Sequence, residues 1–189
     1  KKAAIKRGKL VTDPAKLKAL KSTDRYDPHA KDGISPRWLP GSEAATYCAQ
    51  GDEHDGAGTV NEMAGNAKEQ FDKRLKKMDA LKKILPEPEL FGAKNPDTLI
   101  VGWGSTKDTV MDVLQDDVFK KQKLGYLHYT YMWPLKTELL EKIAAKAKRV
   151  VLVEQNAFGQ LGMLIAQECG LKIPHTILKY DGRPFFYDE

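Results

Sequence analysis

The sequence predicts an α/β protein: a small, doubly wound, mostly parallel sheet with helices on both faces, preceded by an irregular arm and one long amphipathic helix. Three observations carry this prediction. Two short aliphatic runs, Thr98-Leu99-Ile100-Val101-Gly102 and Val150-Val151-Leu152-Val153, have the form of strands covered on both faces. The segments between and after them repeat apolar residues at three- and four-residue steps. Residues 1–65, by contrast, are broken by turn signals: Asp13-Pro14, Asp27-Pro28, Asp32-Gly33, Ser35-Pro36, Pro40-Gly41 and Gly56-Ala57-Gly58.

The arm has room for one short helix, near Pro14 to Lys21. A chain this irregular cannot enclose a core, so it is expected to pack on the second half or on a neighbouring domain. Between Lys68 and Leu85 the residues Phe71, Leu75, Met78, Leu81 and Leu85 make one apolar stripe, with Lys73, Arg74, Lys76, Lys77, Lys82 and Lys83 elsewhere around the turn. Pro86 and Pro88 stop that helix. The expected organisation is an arm and helix over 1–85, a linker over 86–96, and a compact domain over 97–189.

Within that domain two further strands are expected, from Gly125 to Tyr131 and from Ile173 to Lys179. Ser105-x-x-Asp108 resembles a capping box ahead of Val110, Val113 and Leu114. A second helical face is formed by Leu139, Leu140, Ile143 and Ala147. Phe158, Leu161, Leu164, Ile165 and Cys169 form a third, ended by Gly170. The order β-α-β-α-β-α-β with right-handed crossovers gives a sheet of four or five strands.

Composition narrows the function. The 189 residues are 41% hydrophobic and 30% charged, enough for one ordinary domain with an extension. No apolar run approaches the roughly 20 residues needed to span a bilayer, so no membrane partner is expected. A net charge of +5, with acidic residues interleaved among the basic ones, is a weak basis for nucleic acid, and none is expected. Cys48 and Cys169 form no Cys-x-x-Cys pair and cannot by themselves build a zinc or iron–sulfur site; a reducing, cytoplasmic setting is expected. The opening Lys1-Lys2-Ala3-Ala4 reads as a piece of something longer.

In open α/β sheets, ligands and partners collect beyond the carboxyl ends of the strands. Here those positions are Trp103 to Thr106, Met132-Trp133-Pro134 and Glu154-Gln155-Asn156. Polar groups placed directly after buried aliphatics need partners. They either cap the next helix or serve an interface. Gly102-Trp103-Gly104 matches the start of a dinucleotide fingerprint, but Lys107 stands where the third glycine belongs, and a tight strand-to-helix turn accounts for the pair. Glu53-His54-Asp55 could supply a metal-binding imidazole or an oriented base. The lack of a second histidine at ligand spacing favours a hydrogen-bonded turn. No nucleophile-elbow, zinc-protease or phosphate-loop motif occurs.

Several phrases taken together resemble one family. They are Asp32-Gly33-Ile34-Ser35-Pro36-Arg37 with Pro40-Gly41, Gly51-Asp52-Glu53-His54-Asp55 with Gly58, and Lys73-Arg74. Further along come Gly102-Trp103-Gly104-Ser105, Glu154-Gln155-Asn156 with Gly159-Gln160-Leu161, and Asp181-Gly182-Arg183-Pro184-Phe185. In order and spacing, from Arg7 to Phe185, they resemble the C-terminal portion of the alpha subunit of 2-oxoacid:ferredoxin oxidoreductases, especially the 2-oxoglutarate type.

The resemblance implies thiamine-diphosphate chemistry that decarboxylates a 2-oxoacid, forms acyl-coenzyme A and passes electrons through iron–sulfur clusters to ferredoxin. It implies that diphosphate, magnesium and a cluster reside in a beta subunit, the expected partner, and that this chain alone binds no cofactor and is inactive. It further implies that residues 1–85 end the thiamine pyrimidine-binding domain and that residues 97–189 form a transketolase C-terminal-like interface domain. The expected contacts are Trp103, Ser105, Trp133, Glu154, Gln155 and Asn156 at the sheet edge, with Glu53, His54 and Asp55 on the arm. The rival reading is a stand-alone nucleotide-binding α/β module.

Overall fold

The computed structural model describes residues 8–189, in two compact units that divide between Lys83 and Ile84. In the first unit the expected short helix is present as α1, Pro14–Ala19. Asp13 caps it by accepting from the Lys16 amide (2.9 Å), and Pro14 occupies its first turn. A 3-10 turn follows at Ser22–Tyr26. The remainder of the arm is irregular up to α2, Ala64–Ile84.

The first half of the apolar stripe on α2 faces solvent, while Met78, Leu81 and Leu85 further along are half-buried. Phe71 and Leu75 are 55% and 51% exposed, whereas Gln70 is buried and donates from Nε2 to the Tyr26 carbonyl (3.1 Å). Close backbone approach decides this. Gly33, at φ +70°, lies so near α2 that an added Cβ would sit 2.6 Å from the Lys77 amide nitrogen and 2.7 Å from the Lys73 carbonyl oxygen. Only glycine allows the loop to lie on that side of the helix, so the arm packs on the polar face.

The second unit is the expected doubly wound domain. Its strands are β1 Glu89–Gly92, β2 Thr98–Trp103, β3 Leu124–Tyr129, β4 Arg149–Glu154 and β5 His175–Leu178. The helices are α3 Thr106–Gln115, α4 Glu138–Ala144 and α5 Gln160–Cys169. The spatial order is β1-β3-β2-β4-β5, with β1 antiparallel at one edge and the other pairs parallel. Residues 86–96, read from sequence as linker, contain β1, whose Glu89 to Gly92 pair with His128 to Gly125. Four residues between prolines carry too little periodicity to register as a strand.

One sheet face meets α4 and α5 through Leu99, Val101, Leu127, Tyr129, Leu135, Leu140, Ile143, Leu152, Leu161 and Ile165, all buried. The other face meets α3, where Gly102 lies beneath Thr106 and Tyr126. At β2 the winding direction reverses: the chain passes from β2 to β3 on one side and from β4 to β5 on the other. The crevice between the carboxyl ends of β2 and β4 is therefore where the fold leaves room for a ligand or partner.

Candidate functional site

That crevice opens into a cleft of about 590 Å³ lined by Trp103, Gly104, Ser105 and Gln155 from the strand ends. Its far wall is Lys179, Tyr180, Gly182, Arg183 and Pro184 from the segment after β5. The polar triplet after β4 divides its labour. Glu154 is fully buried, and its carboxylate accepts from Trp103 Nε1 (3.0 Å), Asn156 Nδ2 (2.7 Å) and the Leu161 and Gly162 amides (3.1 and 3.2 Å). It thus ties the end of β2 to the first turn of α5, where free amides favour negative charge. Asn156 Oδ1 accepts from the Phe158, Gly159 and Gln160 amides and shapes the loop entering α5. Glu154, expected as a contact residue, works from behind the surface because all its partners lie within the domain.

Gln155 alone of the three reaches the cleft. Its Oε1 accepts from Ser105 Oγ (2.5 Å) and its Nε2 donates to the Arg183 carbonyl (3.3 Å). Trp133 lies apart from this cluster and is 56% exposed. Tyr131, Phe158 and Tyr180, in the segments that follow β3, β4 and β5, are exposed as well. The Gly102-Trp103-Gly104 turn has a packing explanation: a Cβ on Gly102 would meet the Val153 carbonyl oxygen at 3.0 Å and Thr106 Oγ1 at 3.1 Å.

Beneath the turn runs a buried chain of hydrogen bonds that the sequence reading missed. Thr106 Oγ1 donates to the Trp103 carbonyl (2.8 Å), which uses its only proton. It must therefore accept from Tyr126 Oη (3.2 Å), and Tyr126 in turn accepts from His128 Nδ1 (2.9 Å). The chain sets the imidazole as the Nδ1–H tautomer. Burial, helped by Lys107, lowers the His128 pKa, while Glu89 and Asp108 oppose it; burial also pushes Tyr126 up to about 12.

The far wall was also missed, although its residues were in view. Lys179 bridges Asp181 and Glu189, and Arg183 holds Asp181 at 2.5 Å, which draws the Asp181 carboxyl down to about 2. Alternating charges around a glycine read locally as a turn, and nothing in the local pattern says that the turn folds back over β2 and β4.

On the arm, Glu53, His54 and Asp55 sit together in a hydrogen-bonded turn. Glu53 takes a two-pronged ion pair from Arg74 (2.7 and 3.2 Å), which lowers its pKa. His54 Nδ1 lies 2.9 Å from the Asp55 carbonyl, and its ring packs on Tyr26 at 4.3 Å. Asp55 Oδ1 accepts from the Ala57 and Thr59 amides. No group of three or more His, Cys, Asp or Glu side chains among the described residues could hold a metal ion. An iron–sulfur cluster takes four thiolates; the chain has two cysteines, one in each unit, so its residues do not fit that group. Among the described residues no helix is long and apolar enough to cross a membrane.

Residues 96–185 match the family model of the pyruvate:ferredoxin oxidoreductase core domain II. Over its whole length the chain is 31% identical to subunit alpha of 2-oxoacid:ferredoxin oxidoreductase 1 from Sulfurisphaera tokodaii, covering 29% of that protein. It is 30% identical, over 98% of its length, to the alpha subunit from Saccharolobus solfataricus, again covering 29% of the relative. The chain therefore spans less than a third of these curated relatives. A solved structure of 2-oxoglutarate:ferredoxin oxidoreductase from Magnetococcus marinus, with 2-oxoglutarate, coenzyme A and succinyl-CoA bound, superposes with a TM-score of 0.75 at 28% identity. That match covers 87% of this chain and 28% of the other. By sequence along its length and by the fold of its sheet domain, the chain is similar to 2-oxoacid:ferredoxin oxidoreductase alpha subunits.

Proposed function

We propose that the chain is the C-terminal part of the alpha subunit of an oxidoreductase that converts a 2-oxoacid, 2-oxoglutarate, to its acyl-CoA with ferredoxin as electron acceptor. Its own task is assembly. Residues 97–189 form the transketolase C-terminal-like interface domain and residues 1–85 the end of the thiamine pyrimidine-binding domain. Thiamine diphosphate, magnesium and the iron–sulfur cluster belong to other parts of the complex, with the beta subunit as the docking partner. In such a complex the thiamine supplies the carbanion chemistry of decarboxylation; the residues here bind and orient protein surfaces.

The carrying observation is the carboxyl edge of the sheet. A buried Glu154 with four donors fixes the strand-end loops rigidly, while Gln155 and Ser105 meet at the rim and Trp133 stands 56% exposed. Rigid support beneath aromatic and polar side chains is what a docking surface needs. On the arm, Glu53, His54 and Asp55 supply a second contact, held in shape by Arg74.

The test is to pair the full alpha subunit, wild type or Trp133→Ser with Phe158→Ser, with its beta subunit. Light scattering should show weakened assembly of the variant, with 2-oxoglutarate-dependent ferredoxin reduction falling in parallel. Ferredoxin reduction by the 189-residue chain alone would overturn the division of labour. The cleft of about 590 Å³ keeps a second reading in play, a stand-alone nucleotide module. Calorimetry of the lone chain with adenine nucleotides separates the two, since only the module binds one without a partner.

A further inference from the structure

We propose that the hollow at the amino-terminal end of the sheet, rimmed by Lys94, Lys142 and Lys146, docks an acidic segment of a partner protein, which seats one apolar side chain between the lysines. This surface lies at the opposite end of the strands from the carboxyl edge, and the inference does not rest on the function proposed for that edge.

The hollow, about 170 Å³, forms where the turn between β1 and β2 meets the end of α4. Its floor is apolar, made by Leu90, Leu139 and Ile143. Every charged residue that lines it is a lysine: Lys94 from the turn, and Lys142 and Lys146 from α4 and the residues just past its end. All three are exposed, and among the described residues none is in an ion pair. Helix-end electrostatics accounts for Lys142 and Lys146, since cations are favoured beside the free carbonyls of a helix C-terminus. It does not account for Lys94, which a separate segment brings to the same hollow.

The positive charge extends along this end of the sheet. Lys123 and Arg149 are exposed there, also without an ion pair among the described residues. The Asp97 amide donates to the Lys123 carbonyl (2.8 Å) and the Arg149 amide to the Asp97 carbonyl (3.1 Å), which holds both segments against the turn that carries Lys94. The Asp97 carboxylate is itself occupied by Lys148 at 3.1 Å. The carboxyl end differs: there Lys107 pairs with Glu89, Lys136 with Glu87, and Lys179 and Arg183 with Asp181. Unpaired cations at one end, against paired cations at the other, make the amino end the one that attracts an acidic partner. The shape of the hollow selects a protein segment over a phosphate polymer. An aliphatic floor with room for one leucine-sized side chain gives a phosphate or a sugar no contact. In such docking the seated apolar side chain carries the affinity, and the exposed ion pairs around it carry partner choice and encounter rate.

The experiment titrates the isotope-labelled 189-residue chain with the end-blocked peptide Glu-Asp-Leu-Asp-Glu, up to millimolar concentration, and follows backbone amides by NMR. Saturable shifts should be confined to residues 90–96 and 139–149. Replacing the central leucine of the peptide by glycine should weaken binding about tenfold. Raising salt from about 50 to 300 mM should weaken it severalfold. Lys142→Gln with Lys146→Gln should weaken it about fivefold, and Lys94→Gln, which leaves α4 untouched, about twofold, with the rest of the amide spectrum unchanged. Absence of saturable shifts, shifts at Trp103, Ser105 and Gln155 instead, or equal binding of the glycine peptide would overturn the proposal. So would tighter binding of a single-stranded oligonucleotide or of phosphatidylserine vesicles, which would assign the lysines to a phosphate surface.

Discussion

The two units stabilise themselves in opposite ways. Among the described residues, the sheet domain buries thirteen large apolar side chains, and the arm buries two, Leu17 and Trp38. The domain holds its shape through side-chain packing on both faces of a sheet. The arm holds its shape through backbone: Gly33 against α2, Asp55 gathering two amides, Gln50 Nε2 donating to the Gly58 carbonyl. A unit built the first way can stand alone; one built the second way leaves apolar surface exposed, as Ile34, Leu39, Met63, Phe71 and Leu75 are here.

The largest test of this contrast is Glu154→Ala. It removes one acceptor from four donors in a fully buried site and should destabilise the sheet domain by about 3 kcal/mol or more, read by urea denaturation. Glu154→Gln keeps one acceptor oxygen and should lose less. On the arm the sensitive atom is a backbone one. Gly33→Ala combines a positive φ with a collision against Lys77 and should cost about 1–3 kcal/mol. Limited proteolysis of residues 8–62 should accelerate while the sheet domain keeps its protection.

A smaller effect belongs to His128. Its pKa is lowered in the fold, so between that value and the ordinary value of about 6.5 the unfolded chain binds the extra proton. The His128 contribution is therefore present above about pH 6.5 and lost as pH falls, and His128→Phe should flatten the melting-temperature profile of the sheet domain between pH 5 and 7. The smallest effect is expected where a buried stripe would give the largest. Phe71→Ser with Leu75→Ser should change the stability of the isolated chain by only about 0.5 kcal/mol, because both side chains already face solvent. A loss of several kcal/mol would show that the stripe is part of a core.

Much of this was legible in the order of residues. The aliphatic runs at Thr98 and Val150, the glycine ending α5 and the apolar steps between them specify strands and helices locally, because periodicity and capping are short-range physics. The carboxyl-edge residues followed from the same pattern. Which member of the triplet does what did not: Glu154, Gln155 and Asn156 are adjacent in sequence, yet one is buried under four donors, one lines a cleft and one caps a helix.

The sequence by itself determined the α/β class, the strand and helix order from β2 to β5, and a family resemblance running the length of the chain. Only the tertiary structure decided that α2 turns Phe71 and Leu75 outward, that β1 joins the sheet, and that the segment after β5 lines the cleft. Each of these depends on a contact between residues far apart in the chain: Gly33 with Lys77, Glu89 with His128, Gln155 with Arg183. Local pattern carries no information about such contacts until the chain is folded.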